Sequence, residues 1–155
     1  MLNLNKFDNE QLGVLNSYID NYDVLRKLCS CIDYNYTSQQ IEIIGKAISL
    51  GLDVTNILNP KLSSECMILL CDAIKKGIDV RGLDNPNVDV SLLKKIIGIR
   101  LRFSGDMSFI KKLSFSQCRE FVNYFNNDVK FDLGKVKINR KGFCLEIKNA
   151  LGNVK

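Results

Sequence analysis

The chain has 155 residues and a formal net charge of +5, and it contains no histidine and no tryptophan. This length suits one domain with a sizeable core, and no apolar run is long enough to span a membrane. Without histidine the chain lacks the commonest general base and transition-metal ligand, which argues against an enzyme or a bound cofactor. Because residues 1–6 lack the layout of a signal peptide, we expect a soluble cytoplasmic protein.

The net charge is distributed unevenly along the chain. Residues 1–74 hold 5 basic and 9 acidic side chains, a net charge of −4, whereas residues 75–155 hold 17 basic and 8 acidic ones, a net charge of +9. This asymmetry predicts an acidic or polyanionic partner for the C-terminal half. The alternative is a solvated surface whose lysines only keep the protein soluble.

A helix-start pattern recurs five times: an apolar residue, a capping residue, and a second apolar residue four positions after the cap. Capping side chains accept hydrogen bonds from free helix amides, and the apolar pair packs as a hydrophobic staple. The five pairs are separated by 29, 26, 26 and 25 residues, a spacing that predicts an array of helical repeats. The pairs are Phe7-Asp8, Tyr36-Thr37, Leu62-Ser63, Val88-Asp89 and Leu113-Ser114, and the later apolar residues are Leu12, Ile41, Met67, Leu93 and Cys118.

Turn residues mark the ends of the predicted units. In the first unit Asp8 and Gln11 form a capping box, and a second helix is predicted over Val24–Ile32. Gly51 and Gly77 stand where left-handed residues would end the helices of the second and third units. Aspartates recur at one place in successive units, which favours capping over metal binding or catalysis. They are Asp23, Asp53, Asp79 and Asp128.

The last two units and the tail complete the predicted order. The fourth helix is predicted over Val90–Phe103, and Ser114 with Gln117 forms a capping box for the fifth. Residues 1–129 would form the array, and residues 130–155 a small C-terminal cap in the same compact domain. Alternating apolar residues favour a β-hairpin in that cap, although the same residues also fit a helix. An exposed strand edge in Leu133–Ile147 would allow a homodimer.

Six cysteines are spread along the chain. Because no secretory signal is present, we interpret them as buried thiols rather than a disulfide framework. Cys29-Ser30-Cys31 gives only a weak metal signal, since zinc sites need a closed shell of four ligands. The cysteines are Cys29, Cys31, Cys66, Cys71, Cys118 and Cys144.

The second unit carries a resemblance to a known kind of protein. Its elements Gln40-Ile41, Gly51-Leu52-Asp53-Val54 and Asn59-Pro60 are similar to short α-helical repeats in uncharacterised proteins of low-GC Gram-positive bacteria and their mobile elements. The match covers residues 36–93 well and the rest loosely. The resemblance implies an interaction scaffold and transfers no functional residues.

Basic residues gather near the ends of the predicted helices and in the tail. Lys76 and Arg102, one 26-residue period apart, would line up along one edge of the array. Such a stripe predicts partner binding, although cations also offset the negative end of a helix dipole. The predicted partner-binding residues are Lys75, Lys76, Lys94, Lys95, Arg100, Arg102, Lys111, Lys112, Lys137, Arg140 and Lys141.

These observations predict an all-α fold of four to five stacked units and a non-enzymatic binding protein. Its partner would be a protein or a nucleoprotein. One concrete form is a phage or mobile-element inhibitor of a host defence complex, in the manner of an anti-CRISPR protein. The alternative is a protein whose basic stripe binds nucleic acid directly, with strong salt dependence. No membrane, metal or cofactor is expected, and no nucleophile–base pair can be assembled for an enzyme.

Overall fold

The computed structural model describes residues 4–102 and 107–126. Within these residues the chain forms six α-helices, three short 3₁₀ helices and no strand, which confirms the predicted all-α class for this part. The chain divides into two compact units, Met1–Gly77 and Ile78–Lys155. The predicted boundary between residues 129 and 130, and the cap after it, lie outside the described residues.

The N-terminal unit is built around its third helix. Helices α1 (Asn9–Asn16), α2 (Tyr22–Cys31) and α4 (Ser64–Lys75) each contact α3 (Ser38–Ser49), and the 3₁₀ helix Thr55–Ile57 packs on α4. Their apolar faces meet in one core, because apolar residues three and four apart share one side of a helix. Its fully buried side chains are Leu28, Ile41, Ile44, Ile57, Met67 and Leu70.

The described part of the C-terminal unit contains two α-helices and one 3₁₀ helix. Helix α5 (Val90–Arg102) packs against α6 (Phe115–Asn126), and the 3₁₀ helix Ser108–Lys112 leads into α6. The rings of Phe109 and Phe121 meet edge to face with their centres 5.9 Å apart, a favoured aromatic geometry. Leu83, Leu93, Ile96, Ile99 and Ile110 are also fully buried in its core.

All five predicted N-caps form the expected hydrogen bonds. In each case the side-chain oxygen accepts from the backbone N–H three residues later, at the start of α1, α3, α4, α5 and α6. The apolar residue before each cap is buried except at the fifth start, where it is partly exposed. These bonds confirm the predicted helix starts at Asp8, Thr37, Ser63, Asp89 and Ser114.

Two predicted C-terminal glycines also have the expected conformation. Gly51 and Gly77 have φ values of +75° and +77°, which only glycine adopts at little cost. The Gly51 amide donates to the Ile48 carbonyl and the Leu52 amide to the Ala47 carbonyl, so the last turn of α3 is satisfied.

Two of the repeated aspartates hold turns. The Asp53 carboxylate accepts from the Thr55 amide at 3.0 Å and from its hydroxyl at 2.6 Å, where the 3₁₀ helix Thr55–Ile57 begins. Asp79 accepts from the Arg81 amide at 3.1 Å, but a turn rather than a helix follows it. Both form local Asx turns, in which a side chain binds the backbone two residues on.

The capping role predicted for Asp23 is wrong. Helix α2 begins at Tyr22 rather than Val24, and its N-cap is Asn21, whose side chain accepts from the Val24 amide. Asp23 therefore lies inside the first turn, where its negative charge interacts favourably with the positive end of the helix dipole. Asp128 lies outside the described residues.

A buried glutamine links the start of α1 to a distant loop. Gln11 is only 5% exposed. Its Oε1 accepts from the Asp8 amide at 2.8 Å, and its Nε2 donates to the carbonyls of Tyr34 and Tyr36 at 3.1 and 2.6 Å. The predicted capping box is confirmed, and its amide also satisfies two carbonyls just before α3.

Gln40 makes the matching contacts at the start of α3. It is 3% exposed, its Oε1 accepts from the Thr37 amide at 2.8 Å, and its Nε2 donates to the carbonyls of Pro60 and Leu62 at 3.0 and 2.6 Å. In the C-terminal unit, buried Asn85 likewise donates to two carbonyls before α6, at 2.7 and 2.8 Å. Buried amides thus tie each of these helix entries in place.

Candidate functional site

One of the predicted partner-binding residues, Arg100, is held in an ion pair inside the C-terminal unit. Its guanidinium lies 2.9 Å from Oδ2 of Asp79, and its side chain is only 10% exposed. The Arg81 guanidinium donates to both oxygens of the same carboxylate at 2.8 to 3.1 Å. These hydrogen bonds from Arg81, helped by the charge of Arg100, lower the pKa of Asp79 to about 2. The charge of Arg100 is therefore engaged within the fold, opposite the Asp79 carboxylate.

We expect Asp79→Asn to lower the free energy of unfolding at neutral pH and to flatten its dependence on pH in acid. Because the folded-state pKa is depressed, the carboxylate stabilises the fold fully above the unfolded pKa of 3.8 and loses this effect as pH falls towards about 2. Chemical denaturation between pH 7 and pH 2 measures this. Asp20→Asn, at an exposed position, is the control. Parallel acid limbs for Asp79→Asn and the wild type would contradict the expectation.

Lys111 also forms an ion pair within the C-terminal unit. Its Nζ lies 3.2 Å from Oδ2 of Asp84, whose side chain is 5% exposed. A buried carboxylate is costly without a compensating charge, so Lys111 has a structural role even though more than half of its side chain is exposed.

The described residues of the C-terminal unit carry an excess of positive charge. They contain eight basic and four acidic side chains. Asp79 and Asp84 are in the ion pairs above, whereas Glu120 and Asp89, which caps α5, are exposed and offset part of the surface charge. The exposed basic residues beyond those ion pairs are Lys94, Lys95, Arg102, Lys112 and Arg119.

An exposed pair on α6 is absent from the predicted stripe. The Arg119 guanidinium carbon lies 5.8 Å from the centre of the Phe115 ring, within cation–π range, and both side chains are exposed. In the sequence, the spacing of four residues within one helix indicates that the two side chains are neighbours on its surface. The pair presents an apolar face beside a positive charge.

The other predicted residues fall in separate parts of the chain. Lys75 and Lys76 are exposed at the end of α4 in the N-terminal unit, whereas Arg102 belongs to the C-terminal unit. The predicted alignment of Lys76 with Arg102 thus concerns residues of two different units. Lys137, Arg140 and Lys141 lie outside the described residues.

The N-terminal unit carries an apolar groove that none of the sequence patterns indicated. It lies between the C-terminal halves of α3 and α4 and has a volume of about 210 Å³. Leu50 and Ile68, which are 61% and 48% exposed, stand over it. Lys46, Asp72 and Lys75 supply the charged lining.

The prediction of buried thiols is confirmed for three of the five cysteines in the described residues. Cys66, Cys71 and Cys118 are buried, whereas Cys29 and Cys31 are partly exposed, so the prediction is wrong for these two. No disulfide links these five cysteines, and Cys144 lies outside the described residues. Burial raises the pKa of Cys118 to about 11 and raises that of Cys29 and Cys71 as well. These three thiols stay protonated at neutral pH, which disfavours nucleophilic chemistry.

Neither the described residues nor the comparisons with known proteins indicate another kind of site. In residues 4–102 and 107–126, no three cysteine, aspartate or glutamate side chains are placed to hold a metal ion. Over the same residues, no helix combines the length and apolarity needed to cross a bilayer. No protein-family model, no curated protein and no solved structure matches this chain.

Proposed function

We propose that this chain is a non-enzymatic helical-repeat binding protein whose basic C-terminal half engages an acidic macromolecular partner. Recurrent details support the array: the same cap bond begins five helices, and Gln11 and Gln40 make matching contacts. Repeat arrays usually bind through an extended face rather than a closed pocket.

The observation that carries this proposal is the use of carboxylates inside the C-terminal unit. Asp79 and Asp84 are held in ion pairs with Arg100 and Lys111, and the other exposed cations of the described residues outnumber the two remaining carboxylates, Asp89 and Glu120. A surface with an excess of positive charge attracts acidic partners and speeds their association. The described part of the unit thus supports the partner class that the charge asymmetry of the sequence predicts.

We favour a protein or nucleoprotein as the partner. In its most concrete form the chain is a phage or mobile-element inhibitor that occupies a nucleic-acid-facing or acidic surface of a host defence complex, as an anti-CRISPR protein would. The resemblance to repeats of low-GC Gram-positive bacteria and their mobile elements supports this form.

Direct binding to nucleic acid is the second candidate, and the pair of Arg119 and Phe115 favours it. Exposed aromatic and guanidinium groups provide stacking surfaces for unpaired bases, while neighbouring cations contact phosphates. This candidate predicts an affinity that falls steeply as salt rises.

A charge-reversal variant tests both candidates without disturbing the ion pairs. Lys94, Lys95 and Lys112 are changed to Glu, leaving Arg100 and Lys111 intact. The matched control changes Arg26, Lys27 and Lys61, three exposed cations of the N-terminal unit, to Glu. Each protein is used to capture partners from a lysate of a low-GC Gram-positive bacterium with and without nuclease, and each is titrated with single- and double-stranded oligonucleotides at several salt concentrations.

The outcomes separate the two candidates. A discrete protein that resists nuclease, is retained by the control and is lost with the C-terminal variant supports a protein partner. Oligonucleotide binding that weakens steeply with salt and is lost with the same variant supports nucleic-acid binding. If the C-terminal variant keeps every partner of the wild type, the basic half is not the binding surface.

A further inference from the structure

We propose that the groove between α3 and α4 binds a short acidic segment of a partner protein, which inserts one apolar side chain between flanking carboxylates. The inference rests on the proposed function, since Lys75 of the predicted basic site lines this groove. It adds the chemical nature of the partner and a second contact surface, in the N-terminal unit.

The floor of the groove is apolar and shaped by helix ends. Ile43 and Ala47 from α3 face Ile68 and Cys71 from α4, and Leu50 stands at the C-terminal end of α3. Gly51 turns the chain there with a φ of +75°, so that Leu52 closes the end of the groove. A concave apolar surface of this kind gains free energy when an apolar side chain displaces its water.

Packing within the fold does not require apolar side chains at the two exposed positions. One 26-residue period later, Leu50 corresponds to Lys76 and Ile68 corresponds to Lys94, and both lysines are exposed on their own helices. A helix of this pattern thus forms with a cation at either place. Two large apolar side chains exposed together over one groove therefore indicate a contact surface rather than a core.

The volume favours an anchoring side chain over a free small molecule. Sites for drug-sized ligands usually enclose about 300 to 1,000 Å³, whereas this groove has about 210 Å³. Protein interfaces commonly concentrate their affinity in one or two apolar anchors placed in pockets of modest size.

The charged rim selects acidic neighbours for that anchor. Lys46 lies on the α3 side and Lys75 on the α4 side, and the carboxylates beside them are Asp72 in the lining and Glu42, which pairs with Lys46. Lys46 lies 3.2 Å from Glu42 in an exposed pair on the same helix, and such pairs are weak enough to exchange for a partner's carboxylate. Since the lining has no aromatic ring on which a base could stack, an acidic peptide fits the apolar floor and the lysines better than nucleic acid does.

The test uses a displayed library of random twelve-residue peptides selected on the full-length protein. Ile68→Lys introduces at position 68 the lysine found one period later, at position 94. Because the Ile68 side chain is exposed, we expect this variant to keep its fold, and thermal denaturation checks this. Ile19→Lys makes the same change at an exposed apolar residue that does not line the groove. Selected peptides are synthesised, and their affinities for the three proteins are measured by fluorescence anisotropy.

Cys71 in the groove floor provides a second readout that depends on position. Because the Cys71 thiol is buried and its pKa is raised, alkylation is followed at alkaline pH by peptide mass spectrometry. Bound peptide should slow the reaction of Cys71 further, while Cys29 on α2 reacts at an unchanged rate in the same molecule. Protection of Cys71 alone places the peptide in the groove. Equal protection of both cysteines, or none, places it elsewhere and overturns the proposal.

We expect enriched peptides with an apolar residue flanked by Asp or Glu, bound at least about tenfold more weakly by Ile68→Lys than by the wild type or Ile19→Lys. No enrichment, enrichment without acidic residues, or binding unchanged by Ile68→Lys overturns the proposal. Self-association of the wild type that Ile68→Lys abolishes assigns the groove to a second copy of the chain instead. The groove and the proposed function can fail separately. If no peptide binds but changing Lys94, Lys95 and Lys112 to Glu still abolishes partner capture, the proposed function stands and only the groove proposal is overturned.

Discussion

Replacing Gly82 with alanine is expected to destabilise the C-terminal unit by about 2–4 kcal/mol. Gly82 has a φ of +82°, and a Cβ there would lie 2.5 Å from backbone atoms of Ser108. The left-handed conformation costs an L-residue about 1–2 kcal/mol. The remainder comes from moving the chain at Ser108, because backbone cannot rotate away as a flexible side chain can. Urea denaturation followed by circular dichroism measures the loss.

Gly77→Ala is the matched control for this prediction. Gly77 has nearly the same φ, +77°, but no atom lies within 4 Å of the Cβ position. It should therefore cost only the conformational term of about 1 kcal/mol. Equal losses of stability for the two variants would show that the contact between a Cβ at position 82 and the Ser108 backbone adds nothing to the cost of the substitution.

Replacing Gln40 with leucine is expected to cost the N-terminal unit about 2–4 kcal/mol. The substitution removes the acceptor for the Thr37 amide and the donor for the carbonyls of Pro60 and Leu62. These three backbone groups bond to the Gln40 side chain, which is itself buried. Buried polar groups that lose their partners carry a desolvation penalty of about 1–3 kcal/mol each, reduced where water can enter. Chemical denaturation gives the total, and hydrogen exchange shows whether protection falls first around residues 60–62.

Two further variants test the assignment of roles. Gln40→Glu keeps an oxygen for the Thr37 amide but directs a carboxylate at two carbonyl oxygens. Its folded-state pKa is then raised above the unfolded value, so this variant should gain stability as pH falls through that raised pKa, whereas the wild type should not. Gln39→Leu, at the neighbouring exposed position, should change stability by less than about 0.5 kcal/mol. A loss for Gln39→Leu as large as that for Gln40→Leu would contradict the role of the buried amide.

Signals that act over a few residues made the helix starts and ends predictable. A cap such as Thr37 satisfies an amide three residues away, and Gly51 ends a helix through its own φ, so both effects are contained in a short stretch of sequence. Asn21 rather than Asp23 caps α2, because either residue type can occupy the cap or the first turn and only the packing of α2 decides between them.

Contacts between distant residues could not be predicted in the same way. Arg100 and Arg102 are both cations in the last turn of one helix, yet Arg100 turns towards Asp79, 21 residues earlier, while Arg102 is exposed. Positions two apart on a helix face nearly opposite directions, so the side that is buried depends on tertiary packing. The groove escaped prediction for the same reason, since it is formed by ends of α3 and α4 that lie about one period apart.

The linkages made by Gln11, Gln40 and Asn85 have a consequence for how the chain folds. Their side-chain bonds to backbone carbonyls join residues 20 to 28 positions apart. Closing loops of this modest length costs little entropy, and topologies rich in local contacts fold quickly. Each helix entry can therefore be secured soon after the following segment has formed, without waiting for the far end of the chain. A chain organised in this way can begin to acquire structure while it is still being synthesised.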